Sequence, residues 1–135
     1  MLFTLRPNTK ISYVDVRDIA RVAVRLLTMD NNSNEHYEKA YNITDPEALS
    51  YQEAAEILSN EIGRKISYIN ISEDQIRQRM KDMDINDWFI NTTIELYNFS
   101  KAGNLSGVSS AVEELTGKKP ISFCRFTKEY ARAFK

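Results

Sequence analysis

Short apolar segments alternate with capped helical patterns in this sequence, and this alternation constrains the fold more than any other feature. Residues 65–71 (KISYINI) carry Ile and Tyr at the density of a strand, and Ser72 and Gln75 then form a capping-box pattern. Ser50 and Glu53 form the same pattern before another apolar helical spacing. Strand and helix in alternation predict an α/β arrangement.

Further elements are predicted on both sides of this central region. Asp15 is expected to cap a first helix, and Gly63 is expected to end the helix that follows Ser50. The apolar face of the first helix comprises Ile19, Val22, Ala23, Leu26 and Leu27. Short extended segments are expected at residues 2–5, 11–14 and 41–44, and helices at 86–102, 110–116 and 122–134. We therefore expect residues 1–135 to form a single unit with few short strands and several helices.

The composition excludes several classes of function. Hydrophobic residues make up 42% and charged residues 27% of the chain, which is typical of a folded globular protein. The 18 basic and 19 acidic residues give a net charge of -1, so we expect no nucleic-acid partner. No apolar stretch is long enough to span a bilayer, so we expect no membrane partner and a cytoplasmic location.

Four side chains have the chemistry of reactive groups, but each has a simpler structural interpretation. Asp15 and Asp18 lie where carboxylates stabilise the first turn of a helix. His36 stands in a polar stretch, which favours a solvated imidazole, and Cys124 lies between aromatic residues, which favours a small core residue. One Cys and one His provide too few ligands for zinc, so we expect no metal site.

Three segments together resemble a known family. Residues 11–20 (ISYVDVRDIA), 41–50 (YNITDPEALS) and 113–120 (EELTGKKP) resemble, in this order, the C-terminal half of NmrA-like proteins of the atypical short-chain dehydrogenase/reductase superfamily. The resemblance covers about residues 5 to 134. It implies the C-terminal, substrate-side part of a Rossmann-type NAD(P)-binding fold, with NADP or NAD as the cofactor of the complete enzyme.

The glycine-rich turn that binds the dinucleotide in such folds is absent from this sequence. The four glycines, Gly63, Gly103, Gly107 and Gly117, do not form a G-x-G-x-x-G pattern. We therefore expect no cofactor-binding residue in this chain, an N-terminal dinucleotide-binding part that is absent from it, and no activity of the chain in isolation.

Tyr97 and Lys101 have the Tyr-x-x-x-Lys spacing of the catalytic pair in short-chain dehydrogenases. In the superfamily this pair precedes the strand and Arg-Pro turn that residues 5–7 (LRP) resemble, whereas here it follows them. A Tyr and a Lys four residues apart share a face of any helix. We therefore interpret the pair as ordinary helix residues, and the catalytic residues stay unassigned.

The aromatic residues of the segment 86–102 have two interpretations. The resemblance implies that the C-terminal helices shape a substrate pocket, which makes Trp88, Phe89 and Tyr97 candidate substrate-binding residues. The alternative is an aromatic core stripe, since Trp88, Phe89, Tyr97 and Phe99 recur at helical intervals and such side chains bury a large area.

Two functions are compatible with these observations. The first is the substrate-binding part of an NmrA-like NAD(P)-dependent oxidoreductase that reduces a carbonyl- or quinone-type small molecule. The second is a non-catalytic NmrA-like module that regulates or binds other proteins. In either case a face left without the dinucleotide-binding half is expected to be apolar and to favour a homo-oligomer.

Overall fold

A computed structural model describes residues 2–4, 9–29 and 34–134 of the chain. Four short strands in these ranges are β1 (Leu2–Thr4), β2 (Lys10–Ile11), β3 (Leu49–Ser50) and β4 (Tyr68–Asn70). Six α-helices are α1 (Val16–Thr28), α2 (Tyr51–Ile62), α3 (Glu73–Asp82), α4 (Asp87–Lys101), α5 (Ala111–Thr116) and α6 (Phe123–Tyr130). Short 3₁₀ helices lie at Asn34–His36, after α1, and at Ala131–Phe134, after α6. The alternation of strands and helices predicted from the sequence is thus confirmed.

The helix boundaries follow from their caps. The Ser50 hydroxyl accepts the Glu53 N–H at 3.2 Å, and the Glu53 carboxylate accepts the Ser50 N–H at 2.7 Å. This reciprocal pair satisfies two amides that the first turn of α2 leaves without helical partners. At its other end Gly63 adopts φ 74°, where a residue without a Cβ meets no steric penalty. Both predicted ends of α2 are confirmed, as is the capping box at the start of α3.

The strands form two small ladders. β1 pairs in parallel with β4, with Leu2 opposite Tyr68, and β2 pairs antiparallel with β3, with Ile11 opposite Leu49. The predicted extended segment 2–5 is a strand over its first three residues, and position 5 with the turn after it lies outside the described residues. β3 has no counterpart among the predicted segments.

The predicted strand at residues 41–44 is wrong. These residues join no ladder in the described part of the chain, and loop contacts hold them instead. The Ser109 N–H donates to the Thr44 hydroxyl at 2.9 Å, and the Asp45 N–H donates to the Tyr13 carbonyl at 2.6 Å. The predicted segment 11–14 is likewise a strand only at Ile11, because the Ser12 N–H donates to the Leu105 carbonyl at 2.7 Å instead of continuing a ladder.

A core cluster of isoleucines joins the end of β4 to α3 and α4. It comprises Ile71, Ile76, Ile90 and Ile94, with Ile69, Met80, Ile85 and Tyr97 packed against it. Ile90 is fully buried, and burying a side chain of this size contributes about 1.5–3 kcal/mol. The cluster therefore fixes which face of α4 points inward.

The burial of α1 differs from its predicted packing. Val22 is buried and Leu26 is partly buried, but Ile19 and Ala23 are exposed and Leu27 is 84% exposed. Among the described residues, α5 packs against one side of α1. The apolar stripe of α1 is wider than the surface that is covered in this way.

Cys124 is exposed, and its predicted place in the core is therefore wrong. On α6 the fully buried residue is Thr127, whereas the side that carries the aromatic residues is only partly covered. Phe126 lies at the centre of that side, with ring centroids 5.0 Å from Tyr130 and 6.5 Å from Phe134. The aromatic side chains of α6 thus form a half-open ridge and not a closed core.

Candidate functional site

Four large apolar side chains lie exposed on α4, and we refer to them as the α4 outer face: Trp88, Phe89, Leu96 and Phe99. Trp88 is 73% exposed, and the other three are each more than half exposed. The isoleucine cluster holds the opposite side of the helix through Ile90 and Ile94. Because the inward side is fixed by close packing, the aromatic side chains have no space in the core. The alternative of a buried aromatic stripe is therefore wrong for Trp88, Phe89 and Phe99.

The helix period separates the three predicted substrate-binding residues. Trp88 and Phe89 are adjacent at the start of α4, and both point outward. Tyr97 follows Trp88 by nine residues, or about two and a half helical turns, and so lies on the opposite side. Its ring is partly buried against the isoleucine cluster. The structure thus brings Trp88 and Phe89 together and places Tyr97 apart from them.

The polar groups near Trp88 and Phe89 are engaged within the helix. The Thr92 hydroxyl donates to the Trp88 carbonyl at 2.9 Å, and the Thr93 hydroxyl donates to the Phe89 carbonyl at 2.8 Å. The Asn86 side chain caps the helix by accepting the Phe89 N–H at 2.9 Å. This arrangement holds the first turn of α4 in place and leaves two aromatic rings exposed beside each other.

The carboxylates at the start of α1 form ion pairs. Asp15 caps the helix as predicted, accepting the Arg17 N–H at 2.8 Å, and also accepts from the Arg17 guanidinium at 2.9 and 2.7 Å. The hydrogen bonds from Arg17 lower the pKa of Asp15. Arg17 also donates to Glu129 at 2.6 Å, which ties α1 to α6. Because both carboxylate oxygens of Asp15 accept hydrogen bonds from Arg17, Asp15 has a structural role at the start of α1.

Asp18 does more than stabilise the helix dipole. Its carboxylate is 1% exposed, accepts the Ile121 N–H at 2.6 Å, and pairs with Arg21 at 2.5 Å. A bond between residues 103 positions apart joins α1 to the segment before α6. The sequence pattern did not predict this role, because a carboxylate in a first helical turn has the same appearance whether it is solvated or buried.

The other candidate reactive groups, His36 and the pair Tyr97 and Lys101, lie in ordinary structural environments. His36 is partly buried, and its Nδ1 lies 2.7 Å from the Tyr41 hydroxyl. The predicted solvated imidazole thus has a side-chain partner. Lys101 is exposed at the end of α4 while Tyr97 packs on the core cluster, an environment compatible with the interpretation as ordinary helix residues.

Three of the four glycines, Gly63, Gly103 and Gly117, lie where they do not fit the pyrophosphate of a dinucleotide. Gly63 and Gly117 adopt φ 74° and 67° at the C-terminal ends of α2 and α5, and Gly103 adopts φ 86° just after α4. The C-terminal end of a helix presents carbonyl groups and negative partial charge, whereas phosphate binds at the N-terminal end. The positions that these glycines occupy are therefore those of helix stops.

Two further features are absent from the part of the chain that the structure describes. No group of three His, Cys, Asp or Glu side chains in residues 9–29 and 35–134 is arranged to hold a metal ion. No helix in the described part of the chain combines the length and the apolar composition that crossing a bilayer requires.

The fold corresponds to part of known NADPH-binding reductase structures. The triphenylmethane reductase of Citrobacter sp., solved with NADP(H), superposes with a TM-score of 0.80 at 22% identity, over 96% of this chain and 44% of that one. The NADPH-dependent quinone oxidoreductase of Escherichia coli gives a TM-score of 0.81 at 18% identity, over 99% and 45%. At such identities the likeness shows the fold alone. The chain thus has the architecture of the C-terminal part of these NAD(P)-binding reductase folds.

Sequence comparison makes the relationship more specific. The chain is 38% identical over 125 residues to the NAD(P)H azoreductase of Xenophilus azovorans, a match that covers 93% of this chain and 42% of the relative. A comparison with protein-family models gives no match. The chain spans about two fifths of the length of the curated relatives it matches. The predicted resemblance is confirmed: the chain is similar to the C-terminal part of NAD(P)H-dependent reductases, which is consistent with the C-terminal half of an atypical short-chain dehydrogenase/reductase.

Proposed function

We propose that this chain forms the substrate-binding part of an NAD(P)H-dependent oxidoreductase and that Trp88 and Phe89 form the wall on which the acceptor packs. The observation that carries this proposal is the exposure of two adjacent aromatic side chains on a helix whose inner side is closely packed. Such a surface is unfavourable in water unless a ligand or another surface covers it. The rigid backbone of α4 gives it the fixed position that acceptor binding needs.

The names of the relatives support a conjugated acceptor. An azoreductase, a triphenylmethane reductase and a quinone oxidoreductase are each named for a substrate with an extended π system. Such molecules stack on aromatic side chains with ring centroids about 4.5–7 Å apart. We therefore propose a carbonyl- or quinone-type acceptor for this chain, bound by packing on Trp88 and Phe89.

We assign to this chain the binding and the orientation of the acceptor, and no chemical step. Hydride chemistry belongs to the nicotinamide cofactor, NADP or NAD, and a protein contributes by positioning the acceptor. Gly63, Gly103 and Gly117 lie at or just after the C-terminal ends of helices, so we propose that residues outside this chain hold the dinucleotide. The chain on its own is then expected to bind an acceptor without reducing it.

The test uses the fluorescence of Trp88, the only tryptophan of the chain. We expect 1,4-naphthoquinone to quench this fluorescence saturably while the excited-state lifetime stays unchanged, as in a ground-state complex. Phe89→Ala should weaken the apparent affinity about threefold to tenfold, since an aromatic contact contributes about 0.5–1.5 kcal/mol beyond its buried area. Tyr37→Ala, which removes an aromatic ring that is 74% exposed elsewhere, is the matched control.

A different result would refute the acceptor site. Quenching could instead rise linearly with the quinone concentration, shorten the lifetime in proportion and be the same in Phe89→Ala. That result would show only random collisions between the quinone and Trp88. Static quenching that Tyr37→Ala weakens as much as Phe89→Ala would show binding elsewhere.

A second candidate function, a non-catalytic interaction module, is favoured by α1. Its exposed apolar residues, Val16, Ile19, Val24 and Leu27, lie outside the α4 outer face. We propose that this stripe binds another protein surface, with a second copy of the chain as the simplest partner. Sedimentation equilibrium at millimolar concentration tests this: a concentration-dependent mass supports it, and a strict monomer contradicts self-association.

A further inference from the structure

Asn91 lies beside Trp88 on the surface of α4. The two residues are three positions apart in this helix, a spacing that brings their Cβ atoms to about 5–6 Å from each other. Side chains of a helix lean toward its N-terminus, so the amide of Asn91 extends over the turn that carries Trp88. Because Asn91 is exposed, a molecule that packs on the Trp88 ring can reach this amide.

Arg77 of α3 fixes the orientation of the Asn91 amide. The Arg77 Nη1 donates to the Asn91 Oδ1 at 2.7 Å, and the Arg77 Nε donates to the Glu73 Oε1 at 3.0 Å. A guanidinium donates hydrogen bonds and accepts none. The oxygen of the amide must therefore face Arg77, and the nitrogen must face away from it.

The N–H groups of Asn91 remain available to a ligand. Within the described residues, the hydrogen bond from Arg77 to its oxygen is the one that the Asn91 side chain makes. The hydroxyl groups of Thr92 and Thr93 differ in this respect, because they donate to carbonyls of their own helix. Asn91 thus places an oriented and accessible donor next to the exposed ring of Trp88.

Two ion pairs flank Asn91. Arg77 pairs with Glu73 at 3.0 Å, and Lys81 lies 3.6 Å from Asp87. The amide of Asn91 carries no charge itself. This combination suits a neutral molecule with a conjugated body and an oxygen at its edge, because the body stacks on a ring and the oxygen accepts an N–H.

We propose that Asn91 selects the acceptor by donating an Nδ2–H hydrogen bond to a carbonyl oxygen of the molecule that packs on Trp88, with Arg77 as the positioning residue for the amide. This inference rests on the proposed acceptor wall and adds a feature that the wall cannot recognise. Aromatic rings bind any flat apolar body, whereas an oriented N–H distinguishes a ketone or quinone from the corresponding hydrocarbon.

NMR titration of the isotope-labelled chain with 1,4-naphthoquinone and with naphthalene tests the proposal. The indole N–H signal of Trp88 reports packing of either ligand, and the side-chain amide signals of Asn91 report the hydrogen bond. We expect both ligands to move the Trp88 signal saturably. The quinone alone should move an Asn91 amide proton downfield, because naphthalene has no oxygen to accept the bond.

Two variants with the same change in charge locate the effect. Asn91→Asp keeps an acceptor for Arg77 and removes the donor, so it should weaken naphthoquinone about threefold to tenfold and leave naphthalene within about twofold. Asn98→Asp, two turns further along the same side of α4, should leave both affinities within about twofold. Circular dichroism establishes that the variants keep their helices.

Arg77→Met tests the positioning role. The amide of Asn91 can then rotate, so we expect naphthoquinone to weaken about twofold to fivefold while naphthalene is unaffected. A purely structural role of Arg77 would change both ligands alike, and an unchanged affinity for naphthoquinone would show that Arg77 has no part in selection.

The Trp88 signal separates failure of this proposal from failure of the acceptor wall. A saturable shift at Trp88 with unmoved Asn91 amide signals, or an affinity for naphthoquinone that Asn91→Asp leaves unchanged, would overturn the hydrogen bond and leave the wall intact. A Trp88 signal that neither ligand moves would overturn the wall and this proposal with it.

Discussion

Asp45 gives the sharpest prediction about stability, because its carboxyl is buried without a cation of its own. Native Asp45 keeps its proton up to a pH of about 7, whereas the ordinary pKa of 3.8 applies to the unfolded chain. Between these values the native state binds more protons than the unfolded state. The free energy of unfolding must therefore fall as the pH rises through this window.

The magnitude follows from the width of the window. Between pH 5 and 7 the unfolded carboxyl is ionised while the native one holds its proton, and two pH units at 1.36 kcal/mol each set a ceiling of about 2.7 kcal/mol. Structural relaxation and water penetration on ionisation reduce the effect below this ceiling, and we expect about 1 to 2 kcal/mol. Asp45→Asn does not titrate, so this part of the pH dependence should disappear.

Urea unfolding followed by the helical circular dichroism signal measures this directly. The original chain should lose about 1 to 2 kcal/mol more than Asp45→Asn between pH 5 and 8. Glu47→Gln should keep most of the loss, because burial and not the charge of Glu47 is the main cause of the raised pKa. If the original chain and Asp45→Asn lose stability in parallel over this range, the reasoning about the buried carboxyl is wrong.

Three further predictions concern other parts of the fold. Trp88→Ala should change the free energy of unfolding by less than about 0.5 kcal/mol, as measured in urea, because the side chain is mostly exposed; a loss of 2 kcal/mol would place it in a core. Ile90→Ala should cost about 2–5 kcal/mol in the same assay, because it empties the centre of the isoleucine cluster; a loss below about 1 kcal/mol would contradict the inward face of α4. Gly63→Ala should lower the thermal midpoint by several degrees, corresponding to about 1 kcal/mol, since alanine is strained at φ 74°; an unchanged midpoint would contradict the left-handed cap.

The helices could be predicted from the sequence because their signals are local. Ser50 and Glu53 need only a three-residue spacing to form their reciprocal cap, and Gly63 needs only its missing Cβ to end the helix. Each of these interactions forms within a single element. The predicted starts of α1, α2 and α3 are therefore within one residue of those in the structure.

Strand pairing and burial depend on the rest of the molecule, and the predictions that failed are of this kind. Residues 41–44 have a strand-like pattern, but whether they join a ladder depends on a partner distant in sequence. Leu27 and Phe99 occupy helical intervals that suit a core, yet within the described residues they are 84% and 53% exposed. Periodicity shows which residues share a face and does not show what that face meets.

Asp45 was missed for a similar reason. An Asp that precedes a Pro has the pattern of an exposed turn, and no local signal distinguishes it from a carboxyl that is 2% exposed. Its burial follows from contacts with Tyr13 and Phe123, which are 32 and 78 positions away. The aromatic pair Trp88 and Phe89, in contrast, was a candidate from the sequence, although its exposure became apparent only in the structure.

Calorimetric titration of one sample of the chain, first with NADPH and then with 1,4-naphthoquinone, tests the central claim most directly. That claim assigns acceptor binding to this chain and dinucleotide binding to residues outside it. We expect no heat of binding with NADPH, followed by a saturable heat with the quinone that Phe89→Ala diminishes. Stoichiometric binding of NADPH, or no binding of the quinone to a folded chain, would contradict the account.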